Sequence, residues 1–86
     1  MSADATTPRT AIVKRSLTIA GHRTSVSLEA AFWDALKRIA ATDGCSLAAL
    51  VARVDAERGA ANLSSALRVH ALKRFAGDPQ APSPEM

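Results

Sequence analysis

The spacing of apolar side chains changes period abruptly near Leu28. From Ser16 to Ile19, Leu17 and Ile19 alternate with Ser16 and Thr18, and from Thr24 to Leu28, Val26 and Leu28 alternate with Ser25 and Ser27. A period of two sends successive side chains to opposite faces, so both segments predict short strands. After Glu29 the period becomes about 3.6, and Phe32, Leu36, Ile39 and Ala40 form one helical stripe that Trp33, about 100° further round, widens. No residues remain for a loop between the second strand and this helix.

Turn and cap residues divide the rest. Ala20-Gly21-His22-Arg23 puts a glycine between the two strands and predicts a hairpin with a longer loop. A lone hairpin is marginal in water, so helices or a second ribbon must lie beneath it. The first helix is predicted from Glu29 to about Asp43, with Glu29 as an acid in the first turn and Gly44 as a left-handed cap. Ser46 then caps a second helix to about Arg58, ended by Gly59, with Leu47, Leu50, Val51 and Val54 turned inward. Asn62 caps a third helix to about Ala76, in which Leu63, Ala66, Leu67, His70, Ala71 and Phe75 share a face that Val69 and Leu72 widen. Gly77 and the prolines at 79, 82 and 84 stop it. Ala11 to Val13 is a short apolar run with no period of its own.

The 86 residues allow one domain, read as an unstructured arm over 1–10, a folded body over 11–77 and a flexible tail over 78–86. So short a body favours association with a second chain. Cys45 is the sole cysteine, so no intrachain disulfide forms. The chain lacks the ~18 consecutive apolar residues of a membrane span and the layout of a secretory signal, which predicts a cytoplasmic protein with no membrane contact. The net charge of +3 is unevenly placed: Arg9, Lys14, Arg15 and Arg23 lie between Asp4 and Glu29 with no acid among them. A basic block beside a charge-balanced helical part predicts contact with a polyanion through the N-terminal third.

Burying Val26 and Leu28 must turn Arg23, Ser25 and Ser27 outward. Arginine can grip guanine O6 and N7 with two hydrogen bonds, and serine hydroxyls suit several base edges. A second candidate is the start of the second helix, Gly44-Cys45-Ser46-Leu47, where free amides and the helix dipole attract anions. Other combinations are weak. His22, His70 and Cys45 are too scattered for metal spacing, Asp55 and Glu57 point to different sides of their helix, and Ser64 and Ser65 have no basic partner nearby in sequence. No catalytic residue, metal or cofactor is expected.

The order of alternating polar strand, amphipathic helix, glycine turn and capped helix over residues 22–58 resembles the ribbon-helix-helix superfamily, the Arc and MetJ type of DNA reader. Ala20-Gly21-His22-Arg23-Thr24-Ser25-Val26-Ser27-Leu28, with Phe32-Trp33 and Asn62-Leu63-Ser64-Ser65-Ala66-Leu67-Arg68-Val69, also resembles a subgroup of uncharacterised bacterial members. The resemblance implies a mainly α fold with a short β-ribbon, built as an intertwined homodimer whose ribbon enters the DNA major groove. It further implies a transcriptional regulator, associated with the nucleoid and able to assemble as adjacent dimers on double-stranded DNA. Carried over by position, base contacts fall on Arg23, Ser25 and Ser27, and phosphate contacts on Cys45 and Ser46. The chain departs from the pattern by an extra N-terminal strand and an extra C-terminal helix. The strand offers Lys14, Arg15 and Thr18 as groove-facing alternatives, with Lys14 and Arg15 expected on phosphates. The helix leaves three roles open: covering the DNA face, extending the dimer seam, or binding another protein, as in an antitoxin-like adapter that holds a protein partner instead of DNA.

Overall fold

The computed structural model describes residues 8–77 as a two-stranded antiparallel sheet followed by three helices. The expected arm before Pro8 and the tail after Gly77 lie outside the described residues. The elements are β1 (Ile12–Ile19), β2 (His22–Glu29), α1 (Ala30–Asp43), α2 (Leu47–Glu57) and α3 (Leu63–Ala76). The end of the expected arm is tied down: Arg9 pairs with Asp34 at 2.9 Å and its carbonyl accepts from the Ala31 amide.

Both strands are longer than the alternation alone indicates, and the turn is correspondingly shorter. Ile19 stands opposite His22, leaving only Ala20 and Gly21 between the strands. Both have positive φ, 52° and 83°, as the tight hairpin turn that matches strand twist requires. Alanine is rarely found there, because its Cβ crowds the following carbonyl. Replacing Ala20 with asparagine, which tolerates this conformation, should therefore stabilise the domain by about 0.5–1 kcal/mol. Thermal unfolding measures it, and an unchanged or lowered midpoint would contradict so tight a turn.

The register runs from Ile19↔His22 to Ile12↔Glu29, and the Ala30 amide extends the ladder by donating to the Ala11 carbonyl at 2.9 Å. Alternate pairs therefore exchange hydrogen bonds: Val13 with Leu28, Arg15 with Val26, Leu17 with Thr24, and Ile19 with His22. Thr24 thus bonds within its own chain, and the outward edge of β2 is the one it leaves for any second chain. Val13, Leu17, Ile19, Val26 and Leu28 turn toward the helices.

Beneath the sheet, Leu28, Trp33, Leu36, Leu50, Val51 and Leu67 are the largest fully buried side chains. Trp33, not Phe32, is the core aromatic of α1: it is 1% exposed, and its indole Nε1 donates to the Val13 carbonyl at 2.8 Å. Phe32 packs at the core margin. Gly44 takes the left-handed conformation (φ 71°) that ends α1, and the Gly44 and Cys45 amides donate to Ala41 and Ala40. Ser46 and Asn62 cap α2 and α3 by accepting from Ala49 and Ser65. Glu29 occupies the N-cap position of α1 without a side-chain cap bond, because its carboxylate engages Arg68 at 2.9 Å. That hydrogen bond holds Glu29 below the ordinary carboxylate range.

In α3 the inward face is narrower than its sequence pattern suggests. Leu67 and Ala71 are buried, whereas Val69, Leu72 and Phe75 are at least half exposed. The helix is fixed to α1 and α2 by Asp43, which receives hydrogen bonds from Arg74 at 2.7 and 2.8 Å and from Arg53 at 3.0 Å. The Arg74 hydrogen bonds, with Arg53 assisting, lower Asp43 to a pKa of about 2. A carboxylate whose folded pKa lies below its unfolded value stabilises the fold above the unfolded value and stops doing so as pH falls through the folded one. Stability should therefore decline from about pH 4 toward pH 2, and Asp43→Asn should flatten that part of an acid titration of unfolding. An identical acid limb in the variant would show that this carboxylate is not linked to folding.

Candidate nucleic-acid interface

The register that buries Val26 and Leu28 determines what faces the other way. Thr18 stands opposite Arg23, Ser16 opposite Ser25 and Lys14 opposite Ser27, so these six side chains share the outer face of one ribbon. Each of the six is open to solvent. No acidic side chain lies between Lys14 and Ser27, and Glu29, at the end of the face opposite Ile12, is engaged by Arg68. Arg23 and Lys14 have no ion-pair partner among the described residues. The face can thus offer two cationic groups and four hydroxyls to an anionic, hydrogen-bonding surface.

Arg23, Ser25, Ser27 and Lys14 are therefore brought together as a set, but Arg15 is not with them. It falls on the helix-facing side of β1, with its guanidinium 5.5 Å from the centroid of the Trp33 ring. There it shares a hollow with Arg9, Asp34 and Lys37. The adjacency of Lys14 and Arg15 in sequence hides this, since neighbours in a strand point to opposite faces. Ser16 is absent from the contacts expected from sequence, although its parity with Lys14 and Thr18 is legible; only the register shows that it sits beside Ser25.

Cys45 and Ser46 differ in what they can offer an anion. The Cys45 amide is already used in closing α1, donating to the Ala40 carbonyl at 2.9 Å, and the thiol is half-buried. Ser46 is exposed and its Oγ accepts from Ala49 at 3.0 Å, which leaves the hydroxyl hydrogen free to donate. The amides that a first helical turn leaves unpaired follow it, at Leu47 and Ala48. Near α3, the Ser64 hydroxyl donates to the Ser27 carbonyl at 3.3 Å, fastening the helix to the edge of β2.

Among the described residues no three His, Cys, Asp or Glu side chains stand close enough to hold a metal ion. No helix among them is long and apolar enough to cross a membrane. His70 Nε2 is inaccessible and without a hydrogen-bond partner, and burial, with Arg74 and Arg53 nearby, lowers the imidazole below its ordinary pKa.

A search of curated proteins finds no match. Among solved structures, the chain is similar to an uncharacterized protein from Bordetella pertussis Tohama I, with 34% sequence identity and a TM-score of 0.68 over 91% of this chain and 73% of that one. Residues 12–75 match the family model described as a ribbon-helix-helix domain. That span takes in the hairpin and all but the last residue of the three helices, and the chain belongs to the ribbon-helix-helix family.

Proposed function

We propose that this protein is a sequence-preferring DNA-binding regulator whose homodimer sets an antiparallel β-ribbon into the major groove, with the exposed outer face of the strands toward the bases. The observation that carries the reading is the register, which gathers Lys14, Ser16, Thr18, Arg23, Ser25 and Ser27 on one exposed face with no acid among them. A two-stranded ribbon is narrow enough for the groove. Arg23 is the residue for bidentate contact with guanine, the hydroxyls of Ser25 and Ser27 complete the base contacts, and Lys14 and Ser46 meet phosphates. Arg15, on the opposite side of β1, reaches a phosphate only beside the ribbon. Cys45 contributes through its position before Ser46, its amide being occupied.

Members of the family generally bind DNA and dimerise, and a second chain that pairs along the outward edge of β2 supplies the other half of one dimeric ribbon and hence a second half-site. Transcriptional regulation in the cytoplasm, at the nucleoid, is the setting in which such a dimer acts. The family is generally non-enzymatic, and no reaction is proposed. Selection of bound duplexes from a random pool, run at low and high salt, tests the reading. Paired half-sites should be enriched at both, and log affinity should fall against log salt with a slope of about −5 if each chain of a pair neutralises about three phosphates. Recovery of unselected sequence, or affinity indifferent to salt, would overturn it.

A further inference from the structure

The third helix carries large apolar side chains outside its buried face. Its inner side chains Leu67 and Ala71 are buried, yet Val69, Leu72 and Phe75, spaced by three residues on the outer side, are 50%, 64% and 55% exposed. Leu72 and Phe75 run on into Ala31, Phe32 and Ala35 of α1, forming with Ala71 an open groove of about 220 Å³. Arginines lie over both of its aromatic rings: Arg38 is 5.4 Å from the centroid of Phe75 and Arg68 is 5.9 Å from that of Phe32. Phenylalanine and arginine are among the residues enriched at protein interfaces.

Charge selects the occupant. No acidic residue lines the groove or the adjoining hollow formed by Arg38, Ile39, Thr42, Arg74 and Phe75. The carboxylates of the strand end and of α1 are already engaged, Glu29 by Arg68, Asp34 by Arg9 and Asp43 by Arg53 and Arg74, while Arg38 has no acidic partner among the described residues. Two copies of this face brought together would set arginine against arginine, which disfavours a homotypic contact. We propose that the α1–α3 face docks an acidic amphipathic segment of another protein, which places apolar side chains of helical spacing in the groove and a carboxylate against Arg38. The proposal goes beyond DNA reading and shares none of the six ribbon residues, so either can fail alone.

The test titrates the isotope-labelled full chain with two synthetic amphipathic peptides of identical leucine pattern, one with glutamate and one with lysine at its polar positions. The acidic peptide should shift the amide resonances of Ala35, Ala71, Leu72 and Phe75, and should bind about tenfold more weakly to Leu72→Asp. Leu72 is largely exposed, so that variant keeps its core, which its unfolding midpoint checks. Arg38→Glu should reverse the preference in favour of the basic peptide. Equal binding of both peptides, shifts confined to the ribbon, no binding at all, or a free chain that is dimeric until Leu72→Asp makes it monomeric would each overturn the proposal.

Discussion

Trp33→Ala should leave the domain unfolded or nearly so at 37 °C. The indole is 1% exposed and fills the space between the hairpin and α1, so its removal takes away apolar burial and leaves a cavity, at about 3–5 kcal/mol. Domains of this size are stable by only ~5–15 kcal/mol, and short ones lie toward the lower limit. The indole also binds the hairpin to the helix directly, through Nε1 and the Val13 carbonyl. Trp33→Phe separates the two contributions: it keeps most of the volume, loses the hydrogen bond, and should cost about 1–2 kcal/mol. Phe32→Ala, at the core margin, should cost less than Trp33→Ala. Chemical denaturation of the three variants gives the order, and a Phe32 variant less stable than the Trp33 variant would mean that the core is built around the other ring.

Arg23→Ala should weaken binding to the selected duplex by about 1–3 kcal/mol, roughly fivefold to 150-fold, and relax preference at one base pair of each half-site. Its side chain is exposed and without an ion-pair partner among the described residues, so the unfolding midpoint should stay within experimental scatter. If Arg23 instead holds a phosphate, affinity falls about equally for all sequences and the salt slope shrinks by about one. Arg15→Ala is the matching control from the other face of the same ribbon. It should leave base preference unchanged. A binding assay across selected and scrambled duplexes distinguishes these outcomes, and an Arg15 variant that loses preference while the Arg23 variant keeps it would invert the assigned faces.

The alternation around Leu17 and Val26 and the caps at Gly44, Ser46 and Asn62 are legible in the sequence, because each follows from local steric and hydrogen-bonding demands. What cannot be read there depends on contacts between distant residues. The turn reads as longer because alanine at a left-handed position carries no sequence signal, and the register that joins Ser16 to Ser25 depends on that turn. Phe32 and Trp33 are adjacent on one helix, so periodicity cannot say which is central; the Val13 carbonyl decides it. Phe75 shares helical phase with inward residues of α3, yet it stays half exposed, with the Arg38 side chain of α1 lying over its ring. The loss of the Cys45 amide to Ala40 likewise emerges only once α1 and its cap are built.

Resonance mapping of the labelled chain with its selected duplex asks most directly whether the ribbon's outer face meets DNA. Lys14, Ser16, Thr18, Arg23, Ser25 and Ser27 should shift together, and Val69, Leu72 and Phe75 should not move. A duplex that binds while those six stay still, or that shifts α3 instead, would contradict the account.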